Sequence, residues 1–223
     1  MMITLAPRQT ETVHIGPAHL TALAAIPTSP IGLVIFAHGS GSGHLSPRNN
    51  RIADGLHEIG LATVLPDLLR PEEEGDRASM SDIALLAARL FSVAEWAEAT
   101  PGLRHLPLAY FGAGTGAAAA ILAASGPDRR IRAISVRGGR IDLAGQRPLT
   151  RIRSPLQMIA GSRDLPIIGL SRAAMPTLGC DHELAIVPGS GHIFKEAAAL
   201  DVVVGHAARW FLAHLPDRRS KEQ

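Results

Sequence analysis

The stretch YFGAGTGAAAA, residues 110–120, runs from apolar residues into a glycine-rich turn and out into alanines, and it allows two chemistries. Read as G-x-G-x-x-A, with Gly112, Gly114 and Ala117, it is a turn whose backbone approaches a pyrophosphate, and Arg137 at the end of the next apolar run is placed to meet a 2′-phosphate. Read as G-x-S-x-G, it is a nucleophile elbow with Gly112, Ala113, Gly114, Thr115 and Gly116, in which glycine stands at the serine position. Small residues at 112 and 116 suit a sharp strand-to-helix turn, and glycine at 114 relieves the strained backbone such a turn imposes.

Three further stretches favour the elbow. His38-Gly39-Ser40-Gly41-Ser42-Gly43 follows an apolar run and offers backbone N–H groups to a developing oxyanion. Gly161-Ser162-Arg163-Asp164 puts a carboxylate at a strand end, where it either orients an imidazole or caps the next helix. Pro188-Gly189-Ser190-Gly191-His192 sets a histidine on a glycine loop before the final helix. The chain order elbow, Asp164, His192 is that of nucleophile, acid and base in enzymes built on such an elbow. Other nucleophiles fit less well. Thr115 points away from an elbow's site, Ser40, Ser42 and Ser190 read as turn formers, and Cys180 reads as an inert thiol. The dinucleotide fingerprint usually opens its domain, whereas this turn follows the fifth of eight expected strands.

The elements that must position these residues alternate. Strands are expected at 11–15, 19–26, 31–37, 61–65, 107–112, 131–136, 155–160 and 183–187, several as short apolar runs suited to burial on both faces. Helices are expected at 47–59, 79–99, 115–125, 166–178 and 195–214. Within 79–99, Ile83, Leu86, Leu90, Val93 and Ala97 form one apolar stripe. After two opening strands, βαβαβαβαβα predicts an α/β fold with a mainly parallel sheet between helices. The long connection 66–79 borders a site or is a solvated loop.

The chain has 223 residues, 46% of them hydrophobic, enough for one domain, expected at 1–215 with a charged tail at 216–223. A formal charge of +2 argues against nucleic acid and for a small-molecule partner. A single cysteine excludes an internal disulfide and suits a reducing cytoplasm. The opening residues lack a signal-peptide pattern, and no apolar run approaches a membrane span. The sequence leaves the oligomeric state open.

From IGLVIFAHGSGSG through SPRNNRIADGL, LPDLLRPEEE, YFGAGTGAAAA, SVRGGRIDLAG and AGSRDLPII to VPGSGHIFKEAAAL, the chain resembles the α/β-hydrolase superfamily, in its dienelactone-hydrolase-like branch. The resemblance implies a single domain with an eight-stranded, mostly parallel sheet and little or no lid. It also implies a Ser-Asp-His site that hydrolyses esters, lactones or related acyl compounds without cofactor or metal. It places Asp164 as acid, His192 as base, Gly114 at the nucleophile position and Thr115 N–H in the oxyanion hole, with Gly39 and Ser40 on the facing loop. His38, Arg137 and Arg140 are candidates for holding substrate, the arginines by gripping a carboxylate. Three functions stay open: a hydrolase scaffold with weak, water-activated or lost activity, a ligand-binding or non-hydrolytic histidine-dependent protein, and an NADP-binding protein.

Overall fold

The computed structural model describes residues 10–39, 43–126, 130–196 and 198–215. The expected tail at 216–223 lies outside them. Eight strands form one sheet: β1 (Thr10–Ile15), β2 (Leu20–Ala25), β3 (Gly32–Ala37), β4 (Leu61–Pro66), β5 (Leu108–Ala113), β6 (Ile131–Arg137), β7 (Leu156–Gly161) and β8 (His182–Val187). Their order is β1-β2-β4-β3-β5-β6-β7-β8. The β1–β2 hairpin joins β4 antiparallel, and every pairing from β4 to β8 is parallel. All eight expected strands are present, with ends displaced by a residue or so.

Helices cover both faces. On one face α3 (Ile83–Ala99) and α4 (Thr115–Ala124) bury Leu86, Leu90, Val93 and the run Ala117–Ala120 against Leu33, Ile35, Tyr110 and Ile134. On the other, α1 (Pro47–Glu58) and α7 (Ala199–His214) bury Ile52, Leu56, Val203 and Phe211 against Val34, Phe36 and Phe111. Each fully buried leucine, isoleucine or phenylalanine side chain contributes on the order of 1.5–3 kcal/mol, so β3 and β5, buried from both sides, anchor the site end of the sheet. Alanine serves α4 because short side chains let the helix lie close to the strand that feeds it: a Cβ added at Gly112 would come within 2.8 Å of Ala117 Cα.

Three expected helices differ in extent. The segment 79–99 is two helices, α2 (Arg77–Ser81) and α3, because the Asp76 carboxylate caps the first and the Asp82 carboxylate accepts from Leu85 N at 2.9 Å to start the second. The helix expected at 166–178 is α6 (Leu165–Ala174) followed by a 3-10 turn through Pro176. The last helix begins at Ala199 rather than 195, after a loop in which Phe194 and Ala198 take positive φ. A 3-10 turn at Ile141–Ala144 and α5 (Gln146–Arg151) occupy what reads as glycine-rich loop. Among the described residues no helix is long and apolar enough to cross a membrane.

Candidate active site

Gly114 joins β5 to α4 with φ 54° and ψ −126°, a conformation outside the regions open to side-chain-bearing residues without strain. Its carbonyl accepts from Ala117 N at 3.3 Å and from Arg140 N at 3.0 Å, so the turn is pinned to its own helix and to the loop after β6. Among the described residues, a Cβ at Gly114 would meet only Gly39 Cα, at 3.6 Å, an ordinary van der Waals contact. Thr115 is the first residue of α4, where a helix leaves the backbone N–H without an intrahelical acceptor. Gly39 lies against the same turn: a Cβ there would stand 3.5 Å from Gly114 Cα and 3.6 Å from Thr115 N.

Asp164 follows β7 and heads α6, but its side chain does not cap that helix. Oδ2 instead accepts from His192 Nδ1 at 2.7 Å, and the carboxylate is 7% exposed while the imidazole is 55% exposed. This resolves the two roles open to Asp164 in favour of orienting the histidine. With Nδ1–H given to the carboxylate, the lone pair is assigned to Nε2. The loop carrying His192 is braced on several sides. Arg163 N donates to Ser190 O and its guanidinium to Gly189 O, Gly189 N donates to Ser162 Oγ, and Gly191 N donates to Glu196 Oε1 at 3.1 Å. Gly138 passes beside the imidazole, and a Cβ there would sit 3.5 Å from His192 Cε1. The short segment 138–140 therefore touches His192 at one end and the elbow carbonyl at the other.

The remaining site candidates fall differently. Ser40 lies outside the described residues. His38, 9% exposed, donates from Nε2 to Pro66 O at 2.7 Å and ties the end of β3 to the end of β4, so its hydrogen bonding goes into the fold. Its ring borders a cavity of about 10 Å³, room for roughly one water, with Gly39, Leu68 and Met80. Connection 66–79 thus borders the site side of Gly39. Arg140 lays its guanidinium on Asp142 through Nε at 2.9 Å and Nη2 at 2.8 Å, which neutralises it within its own loop. Arg137 is 7% exposed, and burial with the Arg48 charge pushes its guanidinium down to about 10. Cys180 stands before β8 at the opposite edge of the sheet, its thiol pushed up to about 11 by burial and then by Asp181.

Sequence reasoning missed a second aspartate–histidine pair. Asp67, just past β4, accepts from His44 N and from His44 Nδ1, both at 2.7 Å, and holds His44 in place just before α1. The signal was present, an acid at a carboxyl strand end and a histidine in the facing loop, but the partners are 23 residues apart and nothing local links them.

A strained glycine elbow, an aspartate–histidine pair from the next loops and this strand order define an α/β-hydrolase-fold protein. The chain is 39% identical to a dienelactone hydrolase from Anabaena variabilis, with a TM-score of 0.89, over 94% of this chain and 99% of that one. It therefore belongs to the dienelactone hydrolase family within that superfamily. Est1E from Butyrivibrio proteoclasticus shares the fold at 14% identity and a TM-score of 0.76, over 91% of this chain and 98% of its own. A Mycobacterium tuberculosis protein named "Putative phosphoribosyl transferase" is 43% identical over 211 residues, 94% of this chain but 47% of that protein. The chain thus spans about half the length of the curated relatives it matches. No family model matches the chain.

Proposed function

We propose that this chain acts on a small ester, lactone or other acyl compound, with water in place of the serine hydroxyl. The observation that carries the reading is Asp164: a carboxylate at a helix start that forgoes the cap to hold a histidine at 2.7 Å. A site that only binds has no need of an oriented base. In the proposed reaction His192 Nε2 takes a proton from a water lying where the missing Oγ would be, and the water oxygen bonds to the acyl carbon. The carbonyl oxygen becomes an oxyanion facing Thr115 N–H and the Gly39 loop. The bond to the leaving oxygen then breaks, and His192 returns its proton to that oxygen. No acyl-enzyme forms.

Oxyanion donors and positioning without a nucleophile leave roughly 10³- to 10⁴-fold over water, so turnover is expected to be slow. The test is hydrolysis of activated esters and lactones by the chain, by His192→Ala and by Gly114→Ser. Slow turnover that disappears in His192→Ala supports activated water. In Gly114→Ser the rate is expected to rise by ~10²-fold or more, because a triad nucleophile is worth on the order of 10⁶ in kcat where the rest of the site is tuned to it. Absence of turnover in all three proteins would sink the hydrolytic reading and leave ligand binding.

A further inference from the structure

The amino ends of the parallel strands, at the opposite end of the sheet from the elbow, border two adjoining open cavities. One, of about 530 Å³, lies between the end of α4 and the starts of β6 and β7 and is lined by Arg132, Arg151 and Arg153. The other, of about 430 Å³, lies at the start of β5 and is lined by Arg104, Arg130, Arg132 and Glu98. Arg132 borders both, so they form one cleft. It stands roughly 20 Å from the elbow, the length of the seven-residue β6.

The cleft is unbalanced in charge. Five arginines meet one carboxylate, a local surplus of four, although the formal charge of the whole chain is only +2. The ends of α4 and α5 border the larger cavity, and their dipoles offer at most roughly one negative charge, which leaves about three positive charges unmatched. Asp181, just before β8, lies outside the lining and forms no ion pair among the described residues; counted in full, it would still leave the cleft cationic. Residues 127–129, outside the described residues, hold one aspartate and one arginine and add no net charge.

Several of these arginines are oriented by neutral groups, which fix a guanidinium without cancelling its charge. Arg153 Nη1 donates to Gly179 O at 2.7 Å and to Thr150 O at 3.4 Å. Residue 179 must be glycine for this, because a Cβ there would collide with Thr150 O and Arg153 Nη1. Arg104 Nε donates to His105 Nε2 at 2.9 Å, an acceptor only in the neutral imidazole. Arg130 lies 5.2 Å from the centre of the Phe91 ring and pairs with Glu98 at 2.7 Å, so the one lining carboxylate is already engaged. Arg132 and Arg151 are exposed, and their side chains form no ion pair or hydrogen bond among the described residues.

We infer that this cleft is a second binding site, for a small ligand carrying two or three linked phosphate groups. Each cavity falls in the range of small-molecule sites, about 300–1,000 Å³. A single phosphate group brings a charge of about −1.5 to −2, short of the surplus and confined to one cavity. A chain of two or three phosphates matches the surplus, spans Arg132, and offers the paired oxygens that guanidinium forks grip. The inference is independent of the hydrolytic reading, because no residue of the elbow, acid or base takes part.

Calorimetric titration of the full chain with inorganic tripolyphosphate, and with orthophosphate at matched ionic strength, tests the site. Tripolyphosphate is expected to bind at least ~10-fold more tightly than orthophosphate, and Arg132→Ala and Arg151→Ala each to weaken it by ~10-fold, as for loss of a charge-assisted contact. Both variants are expected to keep the Tm of the parent chain, since neither side chain holds a described group. Arg77→Ala, an exposed arginine of α2 outside the cleft, is expected to leave the affinity unchanged. Equal affinity for the two anions, or unchanged tripolyphosphate affinity in either cleft variant, would overturn the inference. A short single-stranded oligonucleotide that bound more tightly than tripolyphosphate, and lost affinity in Arg132→Ala, would overturn it too and give the cleft to nucleic acid.

Discussion

At position 114 the backbone holds the strained geometry of an elbow although no side chain is presented there. The strain is affordable because glycine populates positive φ at little steric cost. Restoring a serine tests the two consequences separately. Since a Cβ would meet nothing closer than 3.6 Å, Gly114→Ser is expected to fold, at a cost of about 1–3 kcal/mol from the positive φ alone. Urea unfolding of the two proteins measures this. An unchanged midpoint would mean that the turn relaxes when a side chain is added. At this scale the sequence was legible where residue type carries the meaning: glycine at the elbow, aspartate and histidine in the right order. It was silent on the Asp67–His44 pair, whose partners lie 23 residues apart with nothing local to link them.

Among the elements, the elbow and its helix depend on closeness. A Cβ at Gly116 would fall 1.9 Å from Ala37 O and 2.7 Å from His38 O, main-chain atoms of the neighbouring strand end that cannot step aside. Gly116→Ala is therefore expected to destabilise by about 3 kcal/mol or more, read from chemical denaturation. Gly169, exposed in the interior of α6 with nothing within 4 Å of an added Cβ, is the control: Gly169→Ala is expected to stabilise by ~0.5–1 kcal/mol through helix propensity. Strand positions were legible because runs such as GLVIFA and LATVLP are apolar throughout and bounded by turn residues. The break between α2 and α3 was not, since the apolar stripe continues across Asp82 and only its side-chain bond to Leu85 N shows that a new helix starts. Likewise α5 is six residues long, too short for any periodicity to declare it.

For the whole molecule, the connection leaving β4 is held to the body by Glu73. Its carboxylate accepts from Arg89 of α3 at 2.5 and 2.7 Å and from Arg70 N at 2.8 Å, and the Arg89 hydrogen bond is the main cause holding it well below the usual carboxylate range. A carboxyl whose folded pKa is depressed contributes stability above its unfolded value, about 4.3, and loses it as pH falls toward the folded value. Glu73→Gln is thus expected to lower Tm at pH 7, with the gap narrowing as both proteins are taken toward pH 3. A constant gap across that range would show that the charge is not what holds the loop. Leu68 and Leu69 are buried at the same edge beside His38 and Gly39, whereas residues 70–72 and 74–78 of the connection are exposed, so the two expectations for 66–79 each hold for part of it.

By itself the sequence determined the fold class, the eight strands and the order in which elbow, acid and base follow one another, because apolar period and turn chemistry are local properties of the chain. Only the tertiary structure decided what Asp164 does, since capping its own helix and holding a histidine 28 residues away are equally open to an aspartate at that position. The same holds for Arg137 and Arg140. Arg140 is neutralised by Asp142, whereas Arg137 is buried with its Nε unpaired. Which charges end up matched depends on how separate loops converge at the carboxyl edge of the sheet, and that convergence is a property of packing.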